Sequence, residues 1–136
     1  MEKINLYLDD YRHNYDSYLY TKDTRYLQLK WFIVRNYNDF VKAVENIGLD
    51  NIGVISADHD LSDEHYKRQD QQPWSTERSI DYFAYREKTG YDCIKWLCDY
   101  SLEVDEKLPE ILVHSMNPVG AENIRQYIKN FIKHTQ

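Results

Sequence analysis

Three short apolar runs in this chain each end in a cluster of residues that could do chemistry. The runs are Ile4 to Leu8, Asn51 to Ala57 and Ile111 to Val113. The clusters that follow them are Asp9-Asp10 with Arg12, Asp58-His59-Asp60, and His114-Ser115-Met116-Asn117. Carboxylates bind hard cations, imidazoles carry protons near neutral pH, and a guanidinium binds phosphate through parallel hydrogen bonds. Together these residue types indicate a ligand site that could hold a metal ion and carry out acid–base chemistry.

Asp9, Asp10, Asp58 and Asp60 are the candidate metal ligands. Mg²⁺ and Mn²⁺ prefer oxygen ligands, and they need few protein carboxylates when water and phosphate complete their shell. Without a cation the four acids would repel one another. The alternative is that Asp10 or Asp60 caps a following turn while the other acids are solvated.

His59 and His114 are the candidate catalytic histidines, as general acid and base on a phosphoester. Metal ligation and ordinary packing against backbone groups are the alternatives, and the acid–base role ranks above metal binding. Both histidines stand at predicted strand ends beside acids or a hydroxyl, which favours chemistry. His13, His65 and His134 lack that context.

Ser115, Asn117 and Gly120 are candidates for catalysis or substrate binding at the third cluster. Ser115 could contact a phosphoryl oxygen, and the amides at the start of the helix that follows it form an anion site; the alternative is a capping hydroxyl. Asn117 is expected to cap that helix, with Pro118 in its first position. Gly120 is expected to allow close packing or close approach of a ligand.

Arg12 is the candidate cation for holding a phosphate. An ion pair with Asp10 or Asp60 is an equally good interpretation. Aromatic side chains could also stack on a nucleobase, although packing is the expectation for most of them. These aromatic candidates are Tyr15, Tyr66, Trp74 and Tyr91.

The elements that must position these residues alternate along the chain. Hydrophobic patterning predicts strands at 3–9, 31–35, 51–57 and 111–113, and helices at 38–48, 89–103 and from 118 onward. Strands alternating with helices imply right-handed crossovers and a parallel sheet with helices on both faces. In such a sheet ligands bind beyond the carboxyl ends of the strands, so the three clusters are expected to converge on one site.

Two polar, tyrosine-rich excursions interrupt this pattern, at about 13–30 and 62–88. The first has no clear period and could cover the site. In the second, Thr76 could begin a helix. Either excursion could be a lid or a loose surface insertion. Of the helix caps, Asn38 is expected for the first helix, and Thr89 with Asp92 has capping-box spacing for the second.

Composition limits the class of protein and its partners. The 136 residues, 42% of them hydrophobic and 29% charged, are expected to form one globular domain over 1–136. The net charge of −6 argues against binding duplex nucleic acid, which needs clustered lysine and arginine. A small anionic ligand held through a metal stays possible. The sequence leaves the oligomeric state open.

Two further observations predict a cytoplasmic protein without a membrane partner. No apolar run has membrane-spanning length, and the N-terminal stretch lacks the basic region and cleavage site of a signal peptide. Cys93 and Cys98 lie five residues apart in one predicted helix, on different faces, so they are expected to be buried thiols.

Four motifs in order carry a resemblance to a known family. They are Leu8-Asp9-Asp10-x-Arg12, Asp58-His59-Asp60-Leu61, Thr89-Gly90-Tyr91-Asp92 and His114-Ser115-Met116-Asn117-Pro118-x-Gly120. The acid pair, the third-strand aspartate and the hydroxyl after the fourth strand resemble a response-regulator receiver domain. The fuller pattern is similar to the cyclic-phosphate processing receiver-like family, which is proposed to act on cyclic phosphate ends or nucleotides.

The resemblance implies a receiver-like, flavodoxin-like α/β fold: a three-layer sandwich with a four-stranded parallel sheet in the order 2-1-3-4. In receivers the acid pair and the third-strand aspartate hold Mg²⁺, that aspartate takes the phosphoryl group, and the hydroxyl contacts it. This chain departs from receivers in two respects. It has no counterpart of their fifth strand and its lysine, and it carries His59 and His114 beside the acids.

The function expected from the residues and the resemblance is a metal-assisted phosphoesterase or phosphatase for a cyclic phosphate or nucleotide, with Mg²⁺ or Mn²⁺ as cofactor. The alternative is a non-catalytic nucleotide-binding or protein-interaction module of degenerate receiver type. A missing fifth strand would leave a sheet edge available for pairing.

Overall fold

A computed structural model describes residues 2–61 and 88–135 of the chain. Its strands are β1 Ile4–Leu8, β2 Trp31–Val34, β3 Ile52–Ala57 and β4 Glu110–Val113. Its helices are α1 Asn14–Thr21, α2 Arg25–Gln28, α3 Tyr37–Ile47, α4 Gly90–Val104 and α5 Pro118–Thr135, with a 3-10 turn at Leu49–Asn51. The strands form one parallel sheet in the order β2-β1-β3-β4, which confirms the expected α/β fold class and strand order.

The helices lie on both faces of the sheet. The chain moves one way along the sheet from β1 to β2 and then the other way to β3 and β4. Right-handed crossovers therefore separate α1 and α2 on one face from α3 and α4 on the other. The last helix, α5, packs beside α4. The result is the three-layer arrangement that the sequence predicts.

One face of the sheet is apolar and supplies the main core. Leu6 and Leu8 of β1 and Ile55 and Ala57 of β3 alternate onto this face and are fully buried. The helix residues that cover them are Phe40, Ala43, Val44, Cys93, Ile94, Leu97, Cys98 and Ile124. Cys93 and Cys98 are both buried and free, as predicted. Burial of this kind is the main favourable contribution to folding.

The opposite face of the sheet is polar, and α1 and α2 cover it. The hydroxyl of Tyr7 lies 2.6 Å from that of Ser17 on α1, and the hydroxyl of Tyr26 on α2 lies 2.6 Å from that of Ser56 on β3. The prediction of an excursion without a helical period at 13–30 is corrected here. The buried residues of these helices are a serine and a tyrosine, so no aliphatic stripe reveals the period.

The helix starts confirm two predicted caps and correct one. Thr89 and Asp92 form the expected capping box of α4, and the side chain of Asn117 accepts from the Gly120 amide at 3.0 Å at the start of α5. Helix α3 is capped by Asn36, not Asn38, because the helix begins at Tyr37. The helix that was predicted to start near Thr76 lies outside the described residues. None of the helices within 2–61 and 88–135 combines the length and the apolar character that spanning a bilayer requires.

Gly90 is the residue through which the start of α4 contacts the end of β3. Its amide donates to the His59 carbonyl at 2.7 Å, and a Cβ at this position would stand 1.6 Å from the carbonyl oxygen of Asp58. Only glycine therefore lets the helix start approach the strand end this closely.

We expect Gly90→Ala to lower the free energy of unfolding by about 3 kcal/mol, because the methyl group overlaps backbone atoms and the helix start must move. Urea denaturation followed by circular dichroism measures this. Gly53→Ala is the comparison variant, since its methyl group would meet side-chain and not backbone atoms, the nearest being Oδ1 of Asn5 at 2.8 Å. Equal losses of stability in the two variants would contradict the prediction.

Candidate functional site

Three predicted site residues stand side by side at the carboxyl edge of the sheet. The backbone amides of Asp9, Asp58 and His114 each donate to a carbonyl oxygen of a neighbouring strand, at 3.1, 3.0 and 3.1 Å. The hydrogen-bond ladder of the sheet thus continues one residue beyond β1, β3 and β4. This fixed register brings together side chains that are up to 105 positions apart in sequence.

Asp9, Asp10 and Asp58 form an acidic cluster in which one carboxylate oxygen from each residue lies within 4.8 Å of the others. Asp9 and Asp58 are buried. Three hard oxygen donors at such spacing fit the number and type of protein ligands that Mg²⁺ or Mn²⁺ takes when water and phosphate complete its shell. Asp60, the fourth predicted ligand, is not part of this group, and its side chain is half exposed.

The Asp9 carboxylate is held in its ionised form. One oxygen accepts from the amides of Tyr11 and Arg12 at 3.0 and 2.9 Å, and the other accepts from Nε2 of His114 at 3.0 Å. Burial by itself would raise the pKa of Asp9. The hydrogen bonds from His114 and the two amides outweigh that effect and lower the pKa.

Asp58 has the opposite balance. Its carboxylate accepts from the amide of His59 at 2.8 Å. Burial, followed by the negative charge of Asp9, raises the pKa of Asp58 despite nearby favourable charges and the hydroxyl of Ser115. Two neighbouring buried carboxylates therefore repel each other, and a positive charge beside them stabilises both.

Arg12 supplies positive charge between these two acids. Its Nη1 lies 3.6 Å from Asp9 and 3.7 Å from Asp58. The sequence correctly allowed an ion pair for Arg12 but named the wrong partners, Asp10 and Asp60. The reason is that Asp9 and Asp58 point into the same buried space, which spacing alone does not reveal.

Two aromatic rings and a thioether hold the Arg12 side chain. The guanidinium carbon lies 4.8 Å from the ring centre of Tyr11 and 6.0 Å from that of Tyr20. Its Nη2 is 3.4 Å from the sulfur of Met116. These contacts keep the charge at the site by cation–π attraction and packing. Neither Tyr11 nor Tyr20 was a sequence candidate.

His114 lies beneath the acids and makes two hydrogen bonds through its ring. Nε2 bonds Asp9, and Nδ1 lies 2.6 Å from the hydroxyl of Ser56. The ring stacks on Tyr7 with 4.3 Å between ring centres, and only 1% of the residue is exposed. Both ring nitrogens are therefore engaged by the protein. This arrangement favours a positioning role over the acid–base role that the sequence suggested.

His59 occupies a different environment, in the turn after β3 beside Asp60, and does not itself line the space above the acids. Its Nδ1 lies 2.8 Å from the Asp60 carboxylate, which also receives the side-chain amide of Asn117 at 3.4 Å. A Cβ on Gly120 would stand 2.4 Å from the His59 ring, so this glycine permits the close packing that the sequence suggested. Within the described residues, Nε2 of His59 makes no hydrogen bond.

Ser115 acts at least as the predicted capping hydroxyl. Its oxygen accepts a hydrogen bond from the amide of Asn117 at 3.1 Å. Asn117 in turn caps α5 through its own side chain. The two residues thus order the turn that leads from β4 into the helix.

A hollow of about 290 Å³ opens above the acids. Its lining residues are Asp10, Tyr11, Arg12, Asp58, Asp60, Met116 and Asn117. Two of the predicted substrate-binding residues, Arg12 and Asn117, line it, while Ser115 and Gly120 do not. A hollow of this size accommodates a phosphate group together with part of a larger ligand.

A second and larger groove lies away from this chemistry. It has a volume of about 660 Å³ and runs along β4 beside α5, where apolar residues such as Ile111, Val113 and Ile128 line it. None of the clustered acids faces it. The polar hollow is therefore the better candidate site despite its smaller volume.

The predicted base-stacking aromatics do not gather at the hollow. Tyr15 is exposed on α1 and does not line it, and Tyr91 packs edge-on against Tyr127 at 5.6 Å. Tyr66 and Trp74 lie outside the described residues. Among the described residues, Tyr11 is the aromatic residue that lines the hollow, and sequence reasoning missed it although it stands between two candidate residues.

Comparison with known proteins identifies one family. The model of the cyclic-phosphate processing Receiver domain matches residues 4–130. No curated protein and no solved structure matches the chain. The matched range contains all of the residues that line the hollow.

We expect Arg12→Gln to lower the free energy of unfolding of the metal-free protein by about 2 to 4 kcal/mol, because two buried acids lose their shared cation. An excess of Mg²⁺ should restore part of the loss, since a bound cation replaces the missing charge. Thermal denaturation with and without Mg²⁺ measures both effects.

The control is Arg125→Gln, which removes an exposed ion pair with Glu122 and should change stability little. If Arg12→Gln were no more destabilising than this control, the acids would not depend on Arg12.

Proposed function

The chain belongs to the cyclic-phosphate processing Receiver domain family, and from this membership and the geometry of its site we propose that it is a metal-assisted phosphoesterase. Its proposed substrates are cyclic phosphates or nucleotide-type phosphoesters. The observation that carries the proposal is the cluster of Asp9, Asp10 and Asp58, of which Asp10 and Asp58 line a hollow together with Arg12. A bound cation and a cationic side chain both stabilise the negative charge of a phosphate ester.

Asp9, Asp10 and Asp58 would hold the Mg²⁺ or Mn²⁺ ion. When bound, the ion would polarise phosphoryl oxygens and offset the charge that develops on them during reaction. The amides of Tyr11 and Arg12 and the ring of His114 fix the direction of the Asp9 carboxylate before any ligand arrives. Such prior orientation lowers the cost of binding.

Arg12 is proposed to change partner as the substrate binds. In the free protein it neutralises Asp9 and Asp58 through ion pairs of 3.6 and 3.7 Å, which are longer than a hydrogen bond. These bonds are loose enough to be exchanged for parallel hydrogen bonds to a phosphate. The Tyr11 ring keeps the guanidinium at the hollow during the exchange.

His59 is proposed as the acid–base residue. Nδ1–H donates to Asp60, so in the neutral ring Nε2 carries a lone pair and can accept a proton. Nε2 takes a proton from a water whose oxygen forms the new bond to phosphorus. The bond from phosphorus to the 2′ or 3′ oxygen breaks, and that oxygen receives the proton from His59. Asp60 thus orients a catalytic histidine in our proposal and is not a metal ligand.

The rim of the hollow favours a substrate with a flat apolar group. Tyr11 and Met116 line the hollow with 57% and 62% of their surfaces exposed. An exposed aromatic ring beside a phosphate site is the arrangement that stacks on a nucleobase. We therefore rank nucleoside cyclic phosphates above small phosphoesters that lack a base.

The proposed location is the cytoplasm. Cys93 and Cys98 are free and buried, and they keep this state most readily in a reducing compartment. Fractionation of cells that produce the protein tests this assignment.

A non-catalytic nucleotide-binding module is the second candidate. The observation that favours it is that Arg12 already neutralises the acids, so a phosphate could bind beside it without turnover. Incubation with a 2′,3′-cyclic nucleotide and Mn²⁺, followed by chromatography, separates the two. An enzyme opens the cyclic phosphate, whereas a binding module returns its ligand intact.

We expect Asp58→Asn to abolish Mn²⁺ binding and to lower kcat/KM for a 2′,3′-cyclic nucleotide at least about 100-fold, since a ligand is lost. His59→Ala should lower kcat about 100-fold and leave the Kd of Mn²⁺ unchanged, since it only transfers protons. Calorimetry measures the Kd of Mn²⁺, and the rate of product formation gives kcat and kcat/KM.

Asp50→Asn is the control because Asp50 is exposed in the 3-10 turn that precedes β3, away from the hollow. Unchanged turnover in Asp58→Asn would rule out the metal-assisted proposal. Unchanged turnover in His59→Ala would remove the histidine from the mechanism.

We expect Tyr11→Ala to raise KM for a 2′,3′-cyclic nucleotide about 10-fold, because the base loses its stacking partner. Tyr15→Ala removes a tyrosine of nearly equal exposure that does not line the hollow, so it should leave KM unchanged. Steady-state kinetics with a base-free cyclic phosphodiester provide the comparison. An equal rise of KM for the base-free ester would show that Tyr11 acts through Arg12 and not on the base.

A further inference from the structure

A buried row of hydrogen bonds runs through the polar face of the sheet and ends at the candidate metal site. The hydroxyls of Tyr26 and Ser56 are 2.6 Å apart, and that of Ser56 lies 2.6 Å from Nδ1 of His114. Nε2 of His114 lies 3.0 Å from Asp9. All four residues are buried. Each step connects a different element, from α2 through β3 and the end of β4 to the end of β1.

We propose that Ser56 and Tyr26 are positioning residues that hold the His114 ring with its protonated Nε2 directed at Asp9, and thereby orient Asp9 for metal binding. The tautomer follows from the row of hydrogen bonds alone. The consequence for metal binding rests on the function proposed above. Neither hydroxyl residue was a sequence candidate.

The direction of donation along the row is determined at its Asp9 end. The other oxygen of Asp9 accepts from two backbone amides, and Arg12 lies beside the carboxylate, so Asp9 can only accept from His114. Nε2 of His114 therefore carries the proton. In the neutral ring Nδ1 is then an acceptor, and Ser56 must donate to it.

Tyr26 completes the row. A serine hydroxyl has one proton, so once Ser56 donates to His114 its oxygen must accept from Tyr26. Burial raises the pKa of Tyr26 to about 12, and the phenol therefore keeps its proton near neutral pH. Every donor in the row then has an acceptor, with no buried polar atom left over.

The opposite tautomer of the His114 ring is disfavoured by the same neighbours. With the proton on Nδ1, the lone pair of Nε2 would face the Asp9 carboxylate, and the buried hydrogen bond between them would be lost. Rotation of the ring is opposed as well. Tyr7 lies flat on it at 4.3 Å with 6° between planes, and Tyr26 meets it nearly edge-on at 84°.

The orientation of Asp9 depends on this ring. Residues that bond to metal ligands and direct them commonly change metal affinity by about 10 to 100-fold when they are removed. Ser56 and Tyr26 act one and two hydrogen bonds further away, so a smaller change of about 3 to 10-fold is expected from their loss.

The test is Ser56→Ala in the full chain, with nitrogen-15 NMR of the histidine rings in the metal-free protein. In the wild type we expect His114 to show a protonated Nε2 and an unprotonated, hydrogen-bonded Nδ1. Ser56→Ala should shift the Nδ1 resonance toward that of a nitrogen without a hydrogen bond, while Nε2 keeps its proton because Asp9 still accepts it. By calorimetry, the Kd of Mn²⁺ should rise about 3 to 10-fold.

Ser17→Ala is the matched control. Ser17 is also fully buried, and its hydroxyl lies 2.6 Å from that of Tyr7, so the same kind of tyrosine–serine pair is broken on the same face. The partners of both His114 nitrogens stay in place. This variant should therefore keep the Nδ1 hydrogen bond and the Nε2 proton of His114, and leave the Kd of Mn²⁺ unchanged.

If Ser56→Ala does not fold, Tyr26→Phe replaces it, because it removes one hydroxyl and keeps the ring. It should shift the Nδ1 resonance in the same direction by a smaller amount. A wild-type His114 protonated on Nδ1, or Nδ1 resonances that do not move in the variants, would overturn the proposal. Failure of the wild type to bind Mn²⁺ counts instead against the proposed function, since the tautomer is measured without metal.

Discussion

Two buried carboxylates at adjacent strand ends are the constraint on which the rest of this structure depends. The register of β1 and β3 places Asp9 and Asp58 side by side, and burial strengthens their repulsion. The protein compensates with backbone amides, the ring of His114 and the guanidinium of Arg12. Arrangements that keep like charges together cost stability, and they are found mostly at sites that bind or react. The destabilising proximity of these two carboxylates is therefore one reason to propose a ligand-binding function for this site.

The two faces of the sheet have different roles, one in stability and the other in positioning the site. The apolar face carries the core with α3, α4 and α5, and it supplies the stability that the acids oppose. The polar face carries Tyr7, Ser56 and His114 under the cover of α1 and α2. Because α1 and α2 exclude water from that face, its hydrogen bonds stay directional and hold the side chains in place.

Features of the fold and site that depend on the strand pattern could be predicted from sequence, whereas those that depend on loops and buried polar residues could not. Convergence of Asp9, Asp58 and His114 was predictable, because parallel strands end at the same edge. The two helices within 13–30 were not predictable. Their buried residues are Ser17 and Tyr26, and serine and tyrosine also occur on exposed surfaces, so their residue types do not reveal which side of the helix is buried. The separation of Asp60 from the other acids was not predictable either. It stands two residues beyond the register of β3, where the loop sets its direction.

The two histidines show why residue type and position alone do not assign a role. Each follows a strand and stands beside an acid or hydroxyl in sequence. His114 continues the hydrogen-bond ladder of β4 and is buried. Its two ring nitrogens bond to Ser56 and Asp9. His59 is one residue past the ladder of β3, where only Nδ1 is bonded within the described chain. A shift of one residue relative to the sheet therefore separates a histidine with both ring nitrogens bonded inside the protein from the one that we propose as the proton-transfer residue.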